Sequence, residues 1–266
     1  MILSGSVLAS GPVAHAAPTC DAGWNTQLVG PNFEIDGNLC VNTSGDLDWA
    51  NVGGQPVDND GYKDTTQFTG GSKESNWPWT AAQIAGSGVA PDKTDIGNVY
   101  AYTTTYQKDV YAFFGFERAA NTGSVAYHVE LNQKANSLGP VPDRTARDLR
   151  LTINQTGSNT ISLVGADSWT GSAWQSLGSL LGFTGQVNQG PVTNLSGDVL
   201  ATGTFAEVGV DLTKLFGAAG CSGNYGVLNV RSSSSPEDTS SLADWIVPVA
   251  LNVPSTCASV QVTKNW

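Results

Sequence analysis

The stretch "VYAFFGFERAANTGSVAYHVELNQ", residues 110–133, alternates apolar and polar side chains with a period of two in two runs separated by a turn-rich segment. That period belongs to half-buried strands and does not fit an amphipathic helix. It predicts strands over 110–116 and 125–132, joined as a hairpin through a turn of Ala, Asn and Gly. On the second strand Tyr127, Val129 and Leu131 point one way, and His128, Glu130 and Asn132 the other. One face is therefore expected to be core, and the other wet or the wall of a cleft.

The pattern returns in "DLRLTINQTGSNTISLVGADSW". Leu149, Leu151 and Ile153 oppose Arg150, Thr152 and Asn154, and "TGSN" turns the chain into a partner strand at 161–164. Further strands are expected at 204–210, 225–231 and 245–253. Helix is confined to two short candidates, "DLTKLFGAAG" from Asp211 and "WTAAQIAG". With 31 Gly and 12 Pro in 266 residues and no repeat of fixed period, many short strands joined by turns are favoured. The reading is all-β: a single, mostly antiparallel, jelly-roll-like β-sandwich over residues 17–257, with at most one or two short helices.

The first sixteen residues resemble the rear of a secretion signal, with the A-x-A pattern Ala14-His15-Ala16 before Ala17. A positive leading segment is missing, since Lys63 is the first Lys or Arg, and an ordinary tail is the alternative. Four cysteines suit an exported chain. Of the three possible connectivities, the local pair Cys20–Cys40 and Cys221–Cys257 is favoured, each worth about 3–4 kcal/mol on a chain-entropy account. Zinc is the weaker alternative, because no C-x-x-C pair occurs and there are two His.

The net charge of -11 repels phosphate backbones and anionic headgroups, which argues against nucleic acid. No apolar run is long enough to span a bilayer, so direct membrane insertion is not expected.

The acidic N-terminal third holds Asp46, Asp48, Asp58, Asp60, Asp64, Asp92 and Asp95. Such loops can supply the oxygens that Ca2+ takes, and Asp58, Asp60, Asp92 and Asp95 are the metal candidates. "DNDG" fails as an EF-hand because Pro56 and Gln67 fall where the first and last ligands belong. Turn capping is the plain alternative for these Asp residues. In "DKTDI", ion pairing is preferred: Asp92 or Asp95 with Arg118, and Lys93 with Glu117.

Eight Trp in so polar a chain suggest sugar stacking, with Trp77, Trp79, Trp169 and Trp174 beside turns as the platform. Plugging the ends of the sandwich is their alternative role, while Trp49 and Trp245 read as core. His128 and Glu130, with Arg150, Asn154, Glu207 and Arg231, make the cleft candidate. Glu130 with Glu207 is the one pair that could run glycoside hydrolysis. A nucleophile elbow, a second His in the mature chain, and phosphate or dinucleotide loops are all missing.

In order along the chain, "FEIDGNL", "DLDWANV", "FTGGSKESNWPWT", "DKTDIGNVYAY", "FFGFERAANTGS" and "SLADWIVPVALNVPSTCASVQVTK" resemble the N-terminal β-sandwich domain of large secreted surface proteins of Gram-positive bacteria, chiefly actinobacteria. In that family prealbumin-like or collagen-adhesin type B repeats follow, often with a sortase anchor, and residues 258–266 resemble the start of a linker or first repeat. The family usually has Asp where Glu117 precedes Arg118. The resemblance implies cell-surface location and adhesion and supplies no catalytic residue. The expectation is a secreted, surface-displayed domain that binds a glycan or other host or cell-surface ligand without catalysis. A glycan hydrolase and a purely structural stalk are the alternatives.

Overall fold

The computed structural model describes residues 23–53, 56–59, 61–86, 90–135, 141–178, 180–217 and 224–254. They form an all-β sandwich of two antiparallel sheets. One is ordered β10 (Phe183–Val187), β13 (Phe205–Asp211), β5 (Asp109–Arg118), β4 (Ile96–Tyr106) and β3 (Pro56–Asn59). The other is ordered β15 (Leu242–Trp245), β14 (Val227–Ser233), β6 (Val125–Asn132), β7 (Leu149–Gln155), β8 (Ile161–Trp169) and β9 (Trp174–Ser176), with β16 (Val249–Ala250) also on β14. Two small hairpins, β1 (Gln27–Val29) with β2 (Phe33–Ile35) and β11 (Val192–Thr193) with β12 (Val199–Leu200), complete the strands. The described helices α1 (Ala81–Ile84) and α2 (Leu212–Phe216) are short, and none is long and apolar enough to cross a membrane. The Asp211 carboxylate caps α2 by accepting from the Lys214 amide at 2.8 Å, as its acidic start predicts.

Between the sheets lies the central core. Phe114 and Phe116 of β5, Val208 and Val210 of β13, Tyr127, Val129 and Leu131 of β6, and Leu149, Leu151 and Ile153 of β7 all face it. The alternation on β6 and β7 therefore assigns their core faces correctly. The hairpin at 119–124 is a correction. β5 pairs with β4 and β13, while β6 pairs with β7 and β14, so the connection is an arch between sheets. Phe116 and Tyr127 then meet across the core, stacked at 4.3 Å. The second hairpin, β7 to β8, forms as expected, with Asn159 taking positive φ in its turn. The expected strand at 245–253 is broken into β15 and β16, with Pro248, which lacks an N–H to donate, between them.

The ion pairs expected for "DKTDI" are also corrected. Arg118 is buried and donates to Gly203 O (3.0 Å), Gly123 O (2.7 Å) and Asn121 Oδ1, so it braces the arch and not a carboxylate. The 91–95 turn meets the arch through its backbone, with the Ala119 and Ala120 amides donating to Asp95 O and Asp92 O, each at 3.0 Å. The Asp95 side chain turns away to accept from the Lys63 amide. Glu117, on the opposite face of β5 from its neighbour Arg118, is held by Asn98, Tyr100 and Asn194 and not by Lys93.

Trp49 is core, as read, but in an outer layer. Phe33, Ile35, Leu39, Trp49, Tyr100, Phe113 and Phe205 pack a second cluster against the outer side of the five-stranded sheet. Trp245 is half-buried at the edge of a third cluster, around Phe68, Trp79 and Leu242, on the other sheet.

Candidate functional site

Residues 66–76 lie along β15. The Phe68 amide donates to Ala243 O at 2.9 Å, and the Leu242 amide donates to Ser72 O at 2.8 Å. This places Glu74 over the outer face of the seven-stranded sheet, where the register sets Glu130 opposite Arg150 and His128 opposite Arg231. Arg144, from the chain before β7, closes the group. Its Nε and Nη2 reach Glu130 at 3.0 and 2.9 Å, and Nη2 reaches Glu74 at 3.1 Å. Arg231 bonds Glu74 at 2.5 Å and Glu130 at 2.8 Å. Arg150 bonds Asp167 and Asp238, each at 2.8 Å.

The β6 face expected to be wet or the wall of a cleft is therefore dry, and His128, Glu130 and Asn132 do not line the cleft described below. His128, Glu130, Arg144 and Arg231 are buried, because a long-range segment covers charges that alternation alone would leave in solvent. Burial would push the Glu130 and Glu74 carboxyls up, but the guanidiniums of Arg144 and Arg231 outweigh it and hold both below the ordinary glutamate range. Burial holds His128 down to about 4, so it is neutral, with Nε2 against Ser233 Oγ at 2.9 Å.

The four nominated tryptophans converge on Arg144. Its guanidinium carbon lies 4.6 Å from the Trp77 ring centre, 5.7 Å from Trp79, 5.2 Å from Trp169 and 4.9 Å from Trp174. Trp169 meets Trp77 and Trp174 edge-on at 5.2 Å each. Trp79 is buried against Phe68 and belongs to the structure. Trp77, Trp169 and Trp174, with Arg144, Glu74 and Asp238, line a cleft of about 340 Å³. One feature leaves it able to bind a polar ligand with an apolar face: beside the indole rings the Asp238 carboxylate, paired with Arg150, is still 42% exposed. A larger cleft of about 400 Å³, bordered by Lys93 and Thr94 of "DKTDI", is lined by Phe68, Gly70, Gly71 and Leu242 among others.

Glu130 and Glu207 cannot act as a pair. Glu207 points outward from the five-stranded sheet, accepting from the Asp36 and Gly37 amides and the Trp49 indole at 2.6–2.8 Å. Glu130 points outward from the other sheet, so the central core stands between them.

Among the described residues, the acidic group compact enough to share a cation is Glu34, Asp36 and Asp48, one oxygen from each lying within 4.8 Å of the others. Of the four Asp chosen from sequence, Asp92 and Asp95 are not in this group. Asp92 is exposed, Asp95 is turned to the Lys63 amide, Asp58 lies on β3, and Asp60 lies outside the described residues. Glu34 and Asp36 follow the alternation of β2 in "FEID", which sends Phe33 and Ile35 into the outer cluster. Acids interleaved with buried aromatics on a strand were the signal available to find them. Cys40 is buried and disulfide-bonded, while Cys20, Cys221 and Cys257, and with them the connectivity, lie outside the described residues.

Compared with known proteins, the chain gives no significant match to a family model, a curated protein or a solved structure.

Proposed function

We propose that this is a secreted, surface-displayed adhesion domain that binds neutral glycan in the Trp77, Trp169 and Trp174 cleft without covalent chemistry. The observation that carries the reading is the convergence of these rings on one open cleft of about 340 Å³. Sugar C–H faces stack on indole rings, and hydroxyls need directional partners, here the exposed Asp238 carboxylate. A neutral sugar suits the site better than an acidic one, because Arg144 is already neutralised by Glu74 and Glu130. The resemblance to the sandwich domains of actinobacterial surface proteins supports export and display, as do the signal-like leader and the proposed pairing Cys20–Cys40 with Cys221–Cys257. Calcium, abundant outside cells, belongs to the same reading as a structural cation at a place distinct from the cleft.

The test is titration of soluble glycans followed by calorimetry. Trp174→Ala and Trp77→Ala each weaken binding about tenfold, the equivalent of 1.4 kcal/mol for a lost stacking contact. Melting curves of both variants separate loss of the site from loss of the fold. Undiminished affinity in a folded Trp174→Ala protein, or no binding by the parent chain across neutral glycans, would reject the cleft and leave the stalk role.

A further inference from the structure

We propose that Glu34, Asp36 and Asp48 form a buried Ca2+ site that ties the strand at residues 33–36 to the turn at residues 46–49 within the outer layer, residues 23–52. This inference is independent of the glycan cleft.

Three carboxylates converge here, each fully buried, with a fourth, Glu207, packed against the same loop. Among the described residues no Lys or Arg forms an ion pair with any of the four. So much buried negative charge must be neutralised, by protons or by a cation. The hydrogen bonds leave one oxygen for a cation. Glu34 accepts from the Asn42 and Thr43 amides at 2.7 and 2.8 Å, and Asp36 accepts from the Asn38 amide, Thr26 and Asn42. Asp48 uses Oδ1 for the Trp49 amide at 2.5 Å, whereas its Oδ2 is buried with no partner at all. A cation explains the bare oxygen, since metal ligation needs a lone pair and no donor.

The dimensions agree. Oxygens held 2.3–2.6 Å from one ion lie at most about 5 Å apart, which accommodates the 4.8 Å spread seen here. Ca2+ tolerates an irregular all-oxygen cage, whereas Mg2+ keeps several waters and demands a near-octahedral one. Gly23 closes the site from the chain's start. A side chain there would bring its first carbon within 2.1 Å of Asp36 Oδ2, so only glycine lets the backbone pass this close.

The experiment uses the whole chain, produced under oxidising conditions and stripped with EDTA. Melting is followed against added CaCl2 and, separately, MgCl2, and Tb3+ luminescence excited through tryptophan reports occupancy directly, because Trp49 adjoins Asp48. A hundredfold excess of Ca2+ over its Kd raises the melting point by about 5–10 °C. Asp48→Asn keeps the shape and removes one buried charge. It folds, melts no lower than the stripped parent, and loses both the Ca2+ shift and the Tb3+ signal, while Asp92→Asn retains both. No Ca2+ shift and no Tb3+ signal in the parent overturns the site, as does a full response in Asp48→Asn. A shift with Mg2+ alone overturns the calcium assignment.

Discussion

Replacing Glu130 with alanine lowers the melting point by about 10 °C. Glu130 holds Arg144 through two hydrogen bonds and Arg231 through a third, all buried. Its loss leaves Arg144 with Glu74 alone and leaves Arg231 Nη2 without its carboxylate, beside an Nη1 that already has no partner. Truncating one member of a buried ion pair costs about 3–5 kcal/mol, because the stranded charge stays in a dry environment. For a domain of this size that corresponds to the stated shift. Lys134→Ala, which removes a pair exposed at both ends, moves the melting point by a degree or two at most. The milder Glu130→Gln gives the electrostatic signature. The Glu130 carboxyl titrates below its ordinary 4.5 when folded. Its ionised form therefore contributes fully above about pH 4.5, and the contribution is lost as the pH falls through the folded value. The stability gap between parent and Glu130→Gln, measured by urea unfolding, is thus widest near neutrality and closes in acid. A gap that is constant with pH would show that Glu130 acts by packing and not by charge.

The strands and their inward faces were legible because alternation reports which side chains point together, and Tyr127, Val129 and Leu131 do reach the core. Alternation says nothing about what covers the other side. His128 and Glu130 looked wet because Glu74 and Arg144, which bury them, lie 56 residues before and 14 residues after Glu130 in the chain. Nor does it separate a hairpin from an arch. The strands flanking residues 119–124 carry the same pattern either way, and only the contact of Phe116 with Tyr127 between sheets decides it. The four tryptophans were found by residue type and turn context, yet their common centre, Arg144, was not, since a lone Arg in a loop carries no pattern. Glu34 and Asp36 were passed over for a related reason. Asp58 and Asp92 look like metal ligands by the loop-like composition around them, whereas Glu34 and Asp36, alternating with Phe33 and Ile35, become a cluster only when residues 46–49 fold against them.

Phe113→Ala is expected to cost about 3–5 kcal/mol, as much as Phe114→Ala, although the two rings leave β5 on opposite sides. Phe114 fills the central core between the sheets. In a sandwich with solvent on its outer face, Phe113 would be cheap to remove. Here it is fully buried in the outer cluster, stacked on Phe33 at 4.1 Å and close to Tyr102 at 5.9 Å. Urea unfolding of the two variants measures this directly. A Phe113→Ala cost below about 1 kcal/mol would show that residues 23–52 are only loosely applied to the sheet. The consequence reaches the acidic cluster, since Phe33 adjoins Glu34 and the same packing that buries the ring excludes water from the carboxylates. A cavity at Phe113 therefore loosens the cage as well as the core. The Ca2+ shift in Phe113→Ala should be smaller than in Phe114→Ala at equal loss of stability, which separates damage to this layer from general destabilisation.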